Sequence, residues 1–183
     1  MEKRNWLLGT DLALGETYMG ADLSNSSLGD LNQISEEMNL AQAILHRLRT
    51  IKGELADIGH PDYGSNLYDL VGEPNNQTTR DRLKNLVRST IREEPRIKEI
   101  VKIEVRSRLE IFDKKEDRQY LTSLRTISKI GMEMESDSTL DGQRSYEEDR
   151  RALATSVDVD ITVIPINSNV PLNIVFPFYL EVV

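Results

Sequence analysis

The sequence contains no cysteine, which excludes disulfides, thiol nucleophiles and cysteine-ligated metal sites. It has only two histidines, His46 and His60. His46 lies beside a helical stripe of apolar residues, where we expect a packing or surface role. No apolar run approaches the ~20 residues that span a bilayer. Trp6-Leu7-Leu8 is too short for the core of a signal peptide. We therefore expect a soluble protein that is made and kept in the cytoplasm.

Acidic residues outnumber basic ones. There are 23 Lys and Arg residues against 31 Asp and Glu, the formal net charge is -8, and no polybasic cluster occurs. Nucleic acid and anionic membranes are therefore poor candidates as partners. The acidic residues show no EF-hand-like spacing. Asp158 and Asp160 resemble a metal-binding pair, but the alternation around them places both on the polar face of a strand. We expect no metal and no cofactor.

The middle of the chain changes from a helical to an extended pattern. Apolar residues first recur at spacings of three and four, which predicts one face of a helix: Leu83, Leu86, Val87, Thr90 and Ile91. Pro95 ends this helix. From Ile97 to Ile111 apolar and charged residues alternate, which predicts a long strand. Glu94 falls on the apolar stripe and needs a partner, either Arg96 or a cation from another chain.

Residues 1–31 are rich in Gly, Ser, Asn and Asp, which predicts an irregular N-terminal arm. A strong helical stripe then runs from Ile34 to Ile51 and ends at Lys52-Gly53. Pro61-Asp-Tyr-Gly64 is typical of a turn, with Tyr63 expected to pack against the long helix. A short helix is expected around Leu67 to Val71.

The last part of the sequence predicts a β-hairpin. Val157, Val159, Ile161 and Val163 alternate with polar residues, and a turn follows at 167–169. A second alternating set completes the hairpin: Leu172, Ile174, Phe176, Phe178, Leu180 and Val182. Pro177 lies within this strand and cannot donate to a ladder, so the strand is an edge strand or has one unpaired side. An ordinary core strand is the alternative.

These patterns predict an α+β fold with two main helices and a short helix packed on a small, mainly antiparallel sheet. We expect an N-terminal arm over residues 1–31 and a single domain over 32–183. That domain includes an insertion at about 113–155 and the hairpin at 156–183. Within the insertion we expect a strand between Tyr120 and Met134, followed by a polar loop.

Four short motifs occur in a fixed order through the middle half of the chain. They are Asn39-Leu-Ala-Gln42, then Leu45-His-Arg-Leu48-Arg-Thr50-Ile-Lys-Gly53-Glu54, then Pro61-Asp-Tyr63-Gly64, then Glu94-Pro95-Arg96-Ile97. Together they resemble the sheath-initiator, or tail-lysozyme-like, baseplate wedge family of contractile tails. That family serves contractile phages, type VI secretion baseplates and extracellular contractile injection particles. The insertion is longer than in the compact members of the family.

The resemblance implies a non-catalytic structural protein, several copies of which are arranged around a ring. Carried over, Glu94, Pro95 and Arg96 would contact baseplate wedge proteins. The last strand would meet a sheath subunit and template the first sheath ring, through Leu172, Ile174, Phe176, Pro177, Phe178, Leu180 and Val182. Central hub or tube-initiator proteins are further partners that the resemblance allows. The protein would then reside in an assembled tail or injection particle within the cytoplasm.

Two other functions remain as alternatives. A lysozyme-like enzyme needs two carboxylates ~5 to 9.5 Å apart across a cleft, and the sequence marks no such pair. Glu54 follows a helix-ending glycine without an evident second acid. Arg96 would keep Glu94 charged, which suits a general acid poorly. The other alternative is a stand-alone adaptor on the same fold, and the sheath-like C-terminal hairpin argues against it.

Overall fold

The computed structural model describes residues 7–17, 20–113, 153–166 and 168–180. The strand expected between Tyr120 and Met134, the polar loop after it and Val182 lie outside these residues. The described elements, in chain order, are β1 (Thr10–Leu12), β2 (Leu14–Thr17), β3 (Gly20–Leu23), β4 (Gln33–Ser35), α1 (Glu36–Arg49), two 3-10 helices (Ala56–Ile58 and Leu67–Leu70), α2 (Gln77–Arg92), β5 (Ile97–Ser107), α3 (Arg108–Asp113), β6 (Ser156–Pro165) and β7 (Leu172–Tyr179).

The main sheet of the described chain has the order β5-β6-β7, and both pairings are antiparallel. Helix α2 packs against β5, and α1 contacts both α2 and β7. Strand β6 is central, and its alternate side chains from Val157 to Val163 are fully buried. They meet the apolar stripes of the two helices in one core, which includes Leu40, Ile44, Leu48, Leu83, Val87, Ile91, Ile103, Ile174 and Phe176. The predicted α+β class is confirmed.

Strand β5 differs from its prediction in length and in the set of residues facing the core. It ends at Ser107, and the chain continues as helix α3, whereas the alternation predicted a strand as far as Ile111. Two register shifts against β6 interrupt the pleat, so Ile100 packs on the core while Val101 is 51% exposed. A bulge inserts one residue and reverses the parity, which strict alternation cannot anticipate.

The N-terminal arm is more regular than its Gly- and Ser-rich sequence predicted. Strand β1 pairs with β4, and β2 pairs with β3, both antiparallel. Asn25 and Leu31 form a further antiparallel bridge. Polar side chains of α1 hold this segment in place, as described below. These contacts leave no periodic signal in the arm itself, which is why the sequence did not predict its short strands.

Candidate functional site

Glu94, Pro95 and Arg96 form a turn between α2 and β5. Glu94 is 6% exposed, and its Oε1 accepts hydrogen bonds from Arg96 Nε at 2.6 Å and from the Arg96 backbone N–H at 3.3 Å. Of the two partners that the sequence left open for Glu94, the structure has the arginine of the same chain. Pro95 is exposed at the tip of the turn. The exposed proline therefore lies at the tip of a turn that a partly buried ion pair stabilises.

Arg96 also connects this turn to the N-terminal segment. Its Nη1 donates to the backbone carbonyl of Leu8 at 3.3 Å, and the side chain of Leu8 is 3% exposed within the core. The same carbonyl accepts a hydrogen bond from Asn39 Nδ2 at 2.7 Å. Leu8 thus joins the first turn of α1 to the Glu94-Pro95-Arg96 turn.

Asn39 and Gln42 of the first motif both bind the N-terminal segment. Gln42 Nε2 donates to the Leu12 carbonyl at 2.9 Å, and Gln42 Oε1 accepts from the Leu14 N–H at 2.9 Å. The two side chains are one turn apart on α1 and point to one side. Leu12 ends β1 and Leu14 begins β2, so the Gln42 amide, which can both donate and accept, binds the backbone at the junction of the two strands.

The Pro61-Asp-Tyr-Gly64 turn packs against the end of α1. The Ser65 N–H donates to the Thr50 carbonyl at 2.8 Å, and Ser65 Oγ donates to the Leu48 carbonyl at 2.7 Å. Gly64 has a φ of +110°, and a Cβ there would lie 2.8 Å from the carbonyl oxygens of Thr50 and Ile51. Only glycine fits this position.

Tyr63 and Arg47 connect that turn to α1 and α2. The Arg47 guanidinium carbon lies 4.7 Å from the centroid of the Tyr63 ring, which is cation–π geometry. Arg47 Nη1 also lies 3.2 Å from Oε2 of Glu93, whose Oε1 is 3.1 Å from Lys52 Nζ. The predicted packing of Tyr63 on the long helix is confirmed.

The electrostatics of Tyr63 show that the second, third and fourth motifs converge. Burial raises the pKa of the Tyr63 phenol, and the charge of Arg47 lowers it. Smaller effects on this pKa come from Glu94, which raises it, and Arg96, which lowers it. We name this set the motif cluster: Arg47, Tyr63, Glu93, Glu94 and Arg96. The sequence analysis gave no role to Arg47, which lies within the second motif, and did not single out Glu93. A cation in the last turn of a helix is a recognised signal that applies to Arg47.

The remaining motif residues shape the loop after α1. Gly53 has a φ of +87°, and Glu54 Oε2 accepts a hydrogen bond from the Ile51 N–H at 3.2 Å. Glu54 also borders an open groove of about 590 Å³, together with His46 and His60. Pro61 is exposed. Among the described residues, no group of three or more His, Cys, Asp or Glu side chains is arranged to hold a metal ion.

Strand β7 lies at an edge of the described sheet. An edge strand was one of the two predictions for this segment, and an ordinary core strand was the other. In the described residues, the alternating apolar set of this segment faces the protein's own core. Ile174, Phe176 and Leu180 are at most 5% exposed, and Leu172 and Phe178 pack against the core. Since these side chains belong to the protein's own core, a partner at β7 would meet its outer backbone edge.

The polar face of β6 carries two ion pairs, one with Arg106 of β5 and one with Arg108 of α3. Asp158 accepts a hydrogen bond from Arg108 Nε at 2.7 Å, and Asp160 pairs with Arg106. Both aspartates are thus engaged by arginines on the polar face, which agrees with the prediction for this Asp-x-Asp pair. In the described part of the chain, no helix is long and apolar enough to cross a membrane.

A family model for contractile injection system sheath initiators matches residues 11–126. The chain is thus a structural component of a contractile tail, and it belongs to the sheath-initiator family. Among solved structures, a Geobacter sulfurreducens protein assigned as a tail lysozyme is 22% identical, with a TM-score of 0.48 over 88% of this chain and 98% of that one. No curated protein matches the chain.

Proposed function

We propose that this protein joins baseplate wedge proteins to the first ring of the sheath and has no catalytic role. The wedge contact is the tip of the Glu94-Pro95-Arg96 turn, and the sheath contact is the outer edge of β7. The main observation in support is the contrast between the two edges of the described sheet.

The two edge strands differ in regularity and charge. Strand β5 has two register shifts and carries five charged residues among its eleven: Lys98, Glu99, Lys102, Glu104 and Arg106. Bulges and charges of this kind discourage pairing with another chain. Strand β7 pairs with β6 residue by residue from Leu172 to Tyr179 and contains no charged residue. Strand addition by a sheath subunit therefore fits β7.

The outer edge of β7 also has a gap, by which we mean one missing backbone hydrogen-bond donor. Pro177 lies opposite Asp158 in an unbroken register, and a proline cannot donate to the neighbouring strand. Its missing donor therefore falls on the outer edge, where Val175 has the same parity and supplies a donor. A sheath strand would bind on both sides of this gap.

The sheath contact is tested by removing one more outer donor. Val175→Pro should reduce co-purification of the sheath subunit by about tenfold or more, while pairing with β6 is kept. Val175→Ala removes the side chain but keeps the N–H and is the matched control. Circular dichroism checks that both variants fold. Sheath binding by folded Val175→Pro at the wild-type level would contradict the proposal.

The wedge contact requires a variant that preserves the ion pair, because loss of Arg96 would leave Glu94 buried and unpaired. Pro95→Glu changes only the exposed tip and should abolish co-purification of wedge proteins. Pro74→Glu places the same charge at an exposed proline elsewhere and should leave wedge binding unchanged. Equal wedge binding by the two variants would exclude the turn as the contact.

A further inference from the structure

Helix α1 lies on the β7 side of the sheet. It contacts both α2 and β7, while α2 packs against β5 at the other edge. Packed helices are about 8–10 Å apart, and two edge strands separated by one central strand are about 9.5 Å apart. The two helices therefore lie over opposite edge strands. A helix with its side chains is about 10–12 Å wide, so α1 also reaches over the position, ~4.8 Å outside β7, that an added strand would take.

Arg47 marks the flank of α1 that faces α2. Its Nη1 lies 3.2 Å from Oε2 of Glu93, which directly follows α2. Successive residues of a helix are rotated by about 100°, and the buried stripe of α1 separates this flank from a second one. Three apolar residues at spacings of three and four occupy the second flank: Met38, Ala41 and Leu45. We name these three residues the α1 flank. It faces away from α2 and thus toward the outer side of β7.

The α1 flank is apolar and incompletely covered. Ala41 and Leu45 are partly buried against the core, whereas Met38 is 67% exposed. In α1 and α2, which are described throughout, Met38 is the only exposed large hydrophobic side chain. A helix that packs only on its own core has polar or charged residues outside its buried stripe. The apolar residues of α1 thus extend beyond the stripe that the protein's own sheet covers.

Strand β7 brings a second apolar surface to the same region. Leu172 and Phe178 share the helix-covered face with Ile174 and Phe176, and they pack against the core while remaining partly exposed. The ring centroids of Phe176 and Phe178 are 6.2 Å apart. The space beside β7 and beneath the α1 flank is therefore apolar on two sides.

We propose that the sheath strand at β7 packs apolar side chains against the α1 flank, so that α1 forms one side of the sheath site. Main-chain pairing supplies affinity for any extended segment, whereas the surface that receives alternate side chains supplies specificity. The inference rests on the proposed sheath contact at β7. It adds the chemistry of the segment that this site selects.

The dimensions of the α1 flank define that segment. Met38 and Leu45 are separated by seven positions, which at 1.5 Å each is about 10.5 Å along the helix. In a strand, alternate side chains are about 6.6–6.8 Å apart. Two inward side chains of the added strand therefore fit along the flank. The segment has apolar residues at positions i and i+2, and the residue between them points to the polar face of the sheet.

Matched charges test the role of the α1 flank. Met38→Glu should lower co-purification of the sheath subunit by about tenfold or more. Ile58→Glu adds the same charge at a residue that is 69% exposed in the first 3-10 helix, outside α1 and β7, and should stay within about twofold. Circular dichroism checks that both variants fold. Equal sheath binding by the two variants would overturn the inference and leave the β7 contact intact.

Thiol labelling locates the contact directly. Because the chain has no cysteine, Met38→Cys and Ile58→Cys each introduce a single thiol. Bound sheath subunit should slow maleimide labelling at position 38 by about tenfold or more and at position 58 by no more than about twofold. Unchanged labelling at position 38 in the sheath complex would overturn the inference. So would protection of that position by the free protein at high concentration, since a second copy would then cover the flank. Sheath binding by folded Val175→Pro at the wild-type level would instead reject the proposed function, and the inference with it.

Discussion

Arg96 and Leu8, separated by 88 positions in sequence, are joined by a hydrogen bond of 3.3 Å from the guanidinium Nη1 to the backbone carbonyl. The same carbonyl accepts from Asn39. Through this one oxygen, the N-terminal segment, the long helix and the Glu94-Pro95-Arg96 turn form a continuous unit. We therefore expect substitutions that displace Leu8 to alter the surface that we propose for the wedge contact.

Asn39→Ala should lower the free energy of unfolding by about 1 to 3 kcal/mol, because the buried Leu8 carbonyl loses its shorter hydrogen bond. Urea denaturation gives this value. Asn85→Ala on the exposed side of α2 is the control and should change stability by no more than about 0.5 kcal/mol. Equal effects of the two substitutions would show that the contact with Leu8 is energetically unimportant.

Gly64→Ala should be far more harmful than Gly59→Ala. Both glycines have a positive φ, so each substitution costs about 1 to 2 kcal/mol of backbone strain. At Gly59 nothing lies within 4 Å of the added carbon, whereas at Gly64 it meets backbone oxygens 2.8 Å away. The crowding adds about 1 to 3 kcal/mol. Thermal and urea unfolding of the pair would measure the difference, and similar losses would refute the close approach.

Tyr63 should make stability depend on alkaline pH. Its folded-state pKa is raised above the ordinary 10.0, chiefly by burial, so the folded state keeps the phenol proton longer than the unfolded chain. The resulting stabilisation is complete below pH 10 and is lost as the pH rises through the folded-state pKa. We expect the wild-type protein to lose stability relative to Tyr63→Phe over that range.

The measurement for Tyr63 is urea denaturation between pH 8 and pH 11, with the exposed Tyr68 as the control position. Tyr68→Phe should follow the wild-type curve. If Tyr63→Phe and Tyr68→Phe gave the same pH profile, burial of the Tyr63 phenol would not contribute to the folded state.

Pro177→Val should increase self-association. The substitution supplies an N–H at the outer edge of β7 and removes the gap in an otherwise uncharged edge strand, which favours pairing between copies. Sedimentation velocity over a range of concentrations would show the change. Pro171→Val, at an exposed proline just before β7, is the control. A monomeric Pro177→Val protein at high concentration would argue that this edge does not attract strands.

The sequence specified those features that depend on local pattern. Apolar stripes predicted α1 and α2, alternation predicted β6 and β7, and Pro177 indicated an edge. The ordered motifs gave the family. Each of these signals lies within a few neighbouring residues, because helix and strand periods are properties of short stretches of chain.

Only the tertiary structure shows which side chains contact each other. In the structure Glu94 pairs with Arg96, and Arg47 lies over the ring of Tyr63. Asn39 and Gln42 hydrogen-bond to an arm that has no periodicity of its own. The structure also has bulges in β5 and a helix at Arg108–Asp113. These outcomes depend on contacts between distant segments, whose energies a local pattern does not encode, and they shape the surfaces proposed for wedge and sheath binding.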